Sequence, residues 1–181
     1  MEGTNLGKRF VNGGENELEE VINLYGEKLL RYATSILCDY HEAENIVQEV
    51  FISAYENRTR FDGNNLSAWL YKITYNLSLN QLKRRRIFYF AEIPKGAIPL
   101  EETIEEKGLS YEMFNALQKL KPKERALLYG RIMEEQSYKE LSQITGTSPS
   151  TLRKQYQRAK DKLVKYLNLE YHRKESKYEQ I

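Results

Sequence analysis

Apolar residues recur at steps of three and four along most of the chain, and no stretch alternates in strand fashion for long. Leu18, Val21, Ile22, Tyr25, Leu29, Ala33 and Ile36 make the stripe of a first amphipathic helix, which the segment CDYHE interrupts. Ala43, Ile46, Val47, Val50, Phe51 and Ala54 make a second, running to about Asn57. After the turn signal RFDGNN, a third helix is expected from about Ser67 to Arg86, with Leu66, Trp69, Leu70, Ile73 and Leu77 on one side. Tyr71, Tyr75, Leu79 and Leu82 gather on its other side. A helix apolar on two sides either packs on two surfaces or exposes aromatic rings for a purpose. Residues 1–14, with four glycines, read as a flexible N-terminus.

The pattern breaks between residues 87 and 110, where FAEIPKGAIPLEETIEEKG reads as an extended acidic linker with local contacts from Phe88, Phe90 and Ile93. Short helices resume with Met113, Leu117 and Leu120, and Pro122 in KPKER suits the first turn of the next. Ser137-x-x-Glu140 is a capping box for a helix from Tyr138 to about Thr145. Gly146 ends it, and Ser148 with Pro149 starts another. Ser142, Gly146 and Leu152 have helix-turn-helix spacing: a small residue at the crossing, a glycine in the turn, an apolar anchor beyond it. The expectation is an all-α fold of two small helical domains, 15–86 and 111–168, with a tail at 169–181.

Charge sharpens this picture only when it is divided. The chain as a whole carries a formal +2, but residues 111–168 carry 12 Lys and Arg against 6 Asp and Glu. On the last helix Leu152, Tyr156, Ala159, Leu163 and Leu167 share a face that would dock inward. Ser150, Lys154, Gln157 and Arg158 point the other way, flanked by Arg153 and Lys160. Such residues neutralise phosphates and read base edges in a major groove. The competing reading is a solvated basic face on an ordinary three-helix bundle. Caps, turn and docking stripe all agree with the charge, which favours DNA.

The third helix holds a second pattern. Trp69, Lys72, Asn76, Asn80 and Lys83 form one stripe beside Tyr71 and Tyr75, and the helix ends in KRRR, residues 83–86. Aromatics and cations in this arrangement suit a separated strand, and the loop FDGNNL could hold an extruded base. The same residues equally suit a core edge and a solvated face. Other chemistry is not signalled. The single cysteine, Cys38, rules out an internal disulfide framework and fits a reducing compartment. His41 and His172 stand far apart, without metal-ligand spacing, and there is no phosphate-cradling glycine loop. No run approaches membrane-spanning length and the N-terminus has no signal-peptide core, so the protein is expected in the cytoplasm.

Two blocks of the chain resemble a known family. AENIVQEVFISAYENRTRFDGNNLSAWLYKITYNLSLNQLKRRR is similar to domain 2 of bacterial RNA polymerase sigma factors of the extracytoplasmic-function (ECF) group, within the sigma-70 family. LQKLKPKERALLYGRIMEEQSYKELSQITGTSPSTLRKQYQRAKDKL is similar to their domain 4. The resemblance implies a transcription initiation factor, not an enzyme, that needs no cofactor. It implies that Glu44, Asn45, Gln48, Glu49 and Ile52 dock on the β′ clamp helices of core RNA polymerase, with the β flap as a further contact. Asp62, Gly63, Asn64, Asn65, Trp69, Lys72, Tyr75, Asn76, Asn80, Lys83 and Arg84 would bind and open the −10 element. Ser148, Ser150, Thr151, Arg153, Lys154, Gln157, Arg158 and Lys160 would bind the −35 element. An anti-sigma factor is a further implied partner. The rival readings are a free-standing helix-turn-helix regulator and a sigma-like antagonist that sequesters its partners.

Overall fold

The structure is a computed structural model that describes residues 2–89 and 111–178. Among the described residues the regular elements are eight α-helices and one short 3-10 helix, with no strand. Beyond residue 89 the expected linker lies outside the described residues, as does the end of the tail, 179–181. Among the described residues no helix is long and apolar enough to cross a membrane, and no cluster of side chains could hold a metal ion.

Helix α1 spans Glu2–Asn12, where the glycines suggested a flexible terminus. The correction has a physical cause. Leu6 and Phe10 lie one turn apart and are 2% and 0% exposed, so burial holds a helix that an 11-residue segment could not sustain alone. Helix α2, Glu15–Leu37, and α3, Tyr40–Asn57, are separated where the CDYHE break was expected. Cys38 takes a left-handed conformation there, its N–H bonding to Thr34 O at 2.8 Å, and the Asp39 carboxylate caps α3 by accepting from Glu42 N at 2.9 Å. Helix α4 spans Leu66–Tyr89 and crosses both α2 and α3.

The C-terminal half consists of α5, Tyr111–Gln118; α6, Pro122–Ile132; α7, Tyr138–Thr145; and α8, Pro149–Tyr178. Helix α8 continues ten residues past the expected domain end at 168. Lys119 of α5's C-terminal turn pairs with the buried Glu170, which anchors part of that extension.

The two halves pack on each other. Tyr71 and Tyr75, on the second apolar side of α4, are 1% and 5% exposed, and α4 lies against α7 while α2 lies against α6. Ala126 and Ile144 join the core of the N-terminal half, and the Tyr129 ring sits 5.9 Å from that of Tyr32. Helix α4 is therefore apolar on two sides because it packs on two surfaces.

Candidate nucleic-acid interface

Helices α7 and α8 form the expected helix-turn-helix. Ser137 Oγ accepts from Glu140 N at 3.2 Å, and Glu140 accepts from Ser137 N at 2.7 Å. Gly146 at φ 70° closes the helix, its N–H bonding to Ser142 O at 2.9 Å. Ser148 Oγ then accepts from Thr151 N at 3.3 Å to start α8. Leu127, Leu141 and Leu152 meet beneath the turn, and Ala159 packs with Leu120 and Leu128 further along. With that face docked, Ser148, Ser150, Thr151, Arg153, Lys154, Gln157, Arg158 and Lys160 are all exposed. Gln157 bonds Asp161 at 2.9 Å and the Arg153 guanidinium lies 5.3 Å from the Tyr138 ring centre, so both begin oriented.

The cap also makes a pH test. Bonds from the Ser137 hydroxyl and amide hold the Glu140 carboxyl below its ordinary value. A depressed native pKa adds stability above the unfolded carboxylate range, and that stability is lost as pH falls through the native value. Glu140→Gln should therefore melt below wild type near pH 7, with the difference shrinking as pH falls below the ordinary carboxylate range. A difference constant across that range would contradict the assignment.

On α4, Lys72, Asn76, Asn80, Lys83 and Arg84 are exposed and make no ion pair or side-chain hydrogen bond with another described residue. Arg85, by contrast, is held by Asp39 and Glu42 of α3. Of the described cations in the run, Lys83 and Arg84 are thus exposed and Arg85 is structural. Two aromatics expected in the stripe are placed differently. Tyr75 is core and cannot stack a base in this conformation. Trp69 is half-buried, stacked on Phe61 at 4.7 Å and met edge-on by Phe10 at 6.5 Å. The preceding loop presents Asp62, Asn64 and Asn65 outward around a buried Gly63 at φ 78°. Asp62 accepts from Asn64 N at 2.9 Å, and Asn65 Oδ1 caps α4 through Ala68 N at 3.1 Å.

Helix α3 offers a third surface. Asn45, Gln48, Glu49 and Ile52 are exposed along one side, Ile52 at 59%, while Glu44 is half-buried 3.4 Å from His41. Ile52 therefore stands open among amides and acids on this side of α3.

Two features escaped the sequence. Arg125, 6% exposed, donates from Nε to Ile36 O at 3.1 Å across the two halves. It also donates from Nη1 to Leu120 O at 2.7 Å. Asn65 of the loop donates to Gln143 of α7 at 3.2 Å, so the loop touches the helix-turn-helix. Pro122-x-x-Arg125 read only as a helix start. The one available hint was that α2 carries no basic residue in its last turn to meet its carbonyls.

Comparison with known proteins places this geometry. The Sigma-70 region 2 family model matches residues 21–87, and the Sigma-70, region 4 model matches residues 110–163. The ECF RNA polymerase sigma factor SigW of Bacillus subtilis is 27% identical over 180 residues, covering 88% of this chain and 94% of its own. The ECF RNA polymerase sigma factor SigE of Mycolicibacterium smegmatis is 26% identical over 156 residues, covering 82% of this chain and 61% of its own length. Among solved structures, CnrH in complex with the cytosolic domain of CnrY has the same fold, with a TM-score of 0.71 at 18% identity over 92% of this chain and 97% of that one. The sigma factor RpoE in complex with the anti-sigma factor NepR, from Bartonella quintana, gives 0.70 at 24% identity over 83% and 96%. The two family models together cover most of this chain, in the order in which its two helical halves occur, and the chain belongs to the ECF group of the sigma-70 family of RNA polymerase sigma factors.

Proposed function

We infer that the protein is an alternative sigma factor: it joins core RNA polymerase, carries it to a set of promoters, and stabilises the opened −10 region. One observation carries this reading. The chain exposes two surfaces of different chemistry, a basic helix-turn-helix face on α8 and an amide-and-cation stripe on α4. A duplex-only regulator has no use for the second. The exposed Ile52 face of α3 supplies the polymerase contact, through the β′ clamp helices, with the β flap as a contact for the C-terminal half.

No bond is broken in this function. Strand opening draws on the binding free energy of the separated strand, through stacking and phosphate contacts. The work is done in the cytoplasm, where promoter DNA and polymerase are found. Regulation by an anti-sigma factor is proposed by likeness to RpoE, which was solved with one.

The packed form is the unengaged form. Gln143 of α7 holds Asn65, and helices packed side by side lie about 8–10 Å apart, so the −10 loop and α8 are within about 20 Å. If the promoter elements stand about 16–18 base pairs apart, as the family resemblance implies, at about 3.4 Å each they are separated by about 55–60 Å. The halves must part before both can bind.

Arg158→Ala tests the −35 assignment. It should weaken −35 duplex binding by about 1–3 kcal/mol if Arg158 reads a base, or lower the salt slope by about one if it holds a phosphate. Unchanged affinity and unchanged salt slope would exclude Arg158 from the interface.

A further inference from the structure

The −10 loop is backed by α1, a segment that neither half of the family match includes. Gly7 of α1 lies against the loop backbone: a Cβ built on it would sit 2.8 Å from Gly63 O, closer than real contacts allow. From the other side, a Cβ on Gly63 would stand 3.4 Å from Lys8 Cα and 3.5 Å from Val11 Cγ2. Two glycines thus bring two backbones together, and the loop cannot shift without α1. The helix is itself tied down. Phe10 is fully buried against the Trp69 edge, Arg9 pairs with Glu20 of α2, and Arg58 Nε donates to Gly13 O at 3.0 Å.

This packing leaves one cation without a structural task. Lys8 is exposed beside Gly63 and its ammonium makes no ion pair or hydrogen bond with another described residue. Asp62, Asn64 and Asn65 are exposed on the same loop, so Lys8 borders the loop read above as the strand-capturing one. An ammonium on a flexible stem is suited to follow a phosphate there.

We propose that α1 is a working part of the −10 interface: Gly7 braces the Asp62–Leu66 loop in its capturing shape and Lys8 holds a phosphate of the separated strand. The proposal rests on the reading of that loop given above. The test uses holoenzyme assembled from the full chain and bacterial core polymerase. The probe is a labelled single-stranded oligonucleotide carrying the non-template −10 sequence of a promoter mapped with this protein, titrated at several salt concentrations.

Lys8→Ala should lower the salt slope by about 0.7, the value for one phosphate contact on a single strand, and Lys8→Arg should restore it. Gly7→Ala should weaken the same binding about tenfold, since the loop backbone must move, while core-polymerase and −35 duplex binding stay as in wild type. If Gly7→Ala also loses polymerase binding, it has unfolded the domain and the Lys8 slope alone decides. Wild-type strand binding with unaltered slope and affinity in these variants overturns the role of α1 alone. A wild-type holoenzyme that binds no −10 strand overturns the loop reading and this proposal together.

Discussion

Arg125→Ala should lower the stability of the protein by about 2–4 kcal/mol and make it more extended in solution. The guanidinium is 6% exposed and serves carbonyls at two helix ends, Ile36 of α2 and Leu117 and Leu120 around the end of α5. Helix ends leave such carbonyls without partners, and the negative end of the helix dipole favours a cation beside them. Alanine removes the donor and leaves the acceptors buried in the seam between the two halves. Chemical denaturation would measure the loss, and small-angle scattering would measure the extension. A stable variant of unchanged radius would show that the seam does not depend on this residue. If, as proposed, the halves part so that both promoter elements are bound at once, the variant should also bind core polymerase no worse than wild type when kept below its melting temperature.

The second large effect is expected from Asn76→Ala combined with Asn80→Ala. Both amides are exposed on α4 and make no hydrogen bond with another described residue, so their removal should cost the fold little. If each donates to or accepts from the unpaired strand, losing two such bonds amounts to about 1–3 kcal/mol, or roughly a five- to hundredfold loss of heparin-resistant open complexes. Binding of the −35 duplex should be untouched, because α8 and its docking face are unaltered. Open complexes at wild-type level would return the stripe to an ordinary solvated surface. Trp69→Ala is a poorer probe of strand contact. Its ring is stacked on Phe61 and abutted by Phe10, so the substitution would leave a cavity under the loop and confound the result.

What could be read from the sequence was local. Ser137 with Glu140, Gly146, and Ser148 with Pro149 each state their structure within four residues, and the helix-turn-helix stands where they put it. The exposed residues of α8 follow from the period of Leu152, Tyr156, Ala159 and Leu163. What could not be read depends on partners distant in the chain. Arg125 meets Ile36 across 89 positions, and nothing in PKER signals that its charge will be buried. Tyr75 looked available for stacking because the residues that bury it lie on other helices, beyond the reach of a local pattern. The N-terminal glycines misled in the opposite direction. Gly3 and Gly7 weaken a helix in isolation, but Gly7 is needed where α1 meets Gly63, and Leu6 and Phe10 repay that weakness through burial.

The most direct test of the central claim is transcription of bacterial genomic DNA in vitro by core polymerase, with and without the purified protein, mapping every start site. The account predicts starts that appear only with the protein present and that share two upstream motifs about 16–18 base pairs apart, a separation the opened chain must span. A protein that shifts duplex DNA alone, leaves core polymerase unbound and yields no new starts would contradict it.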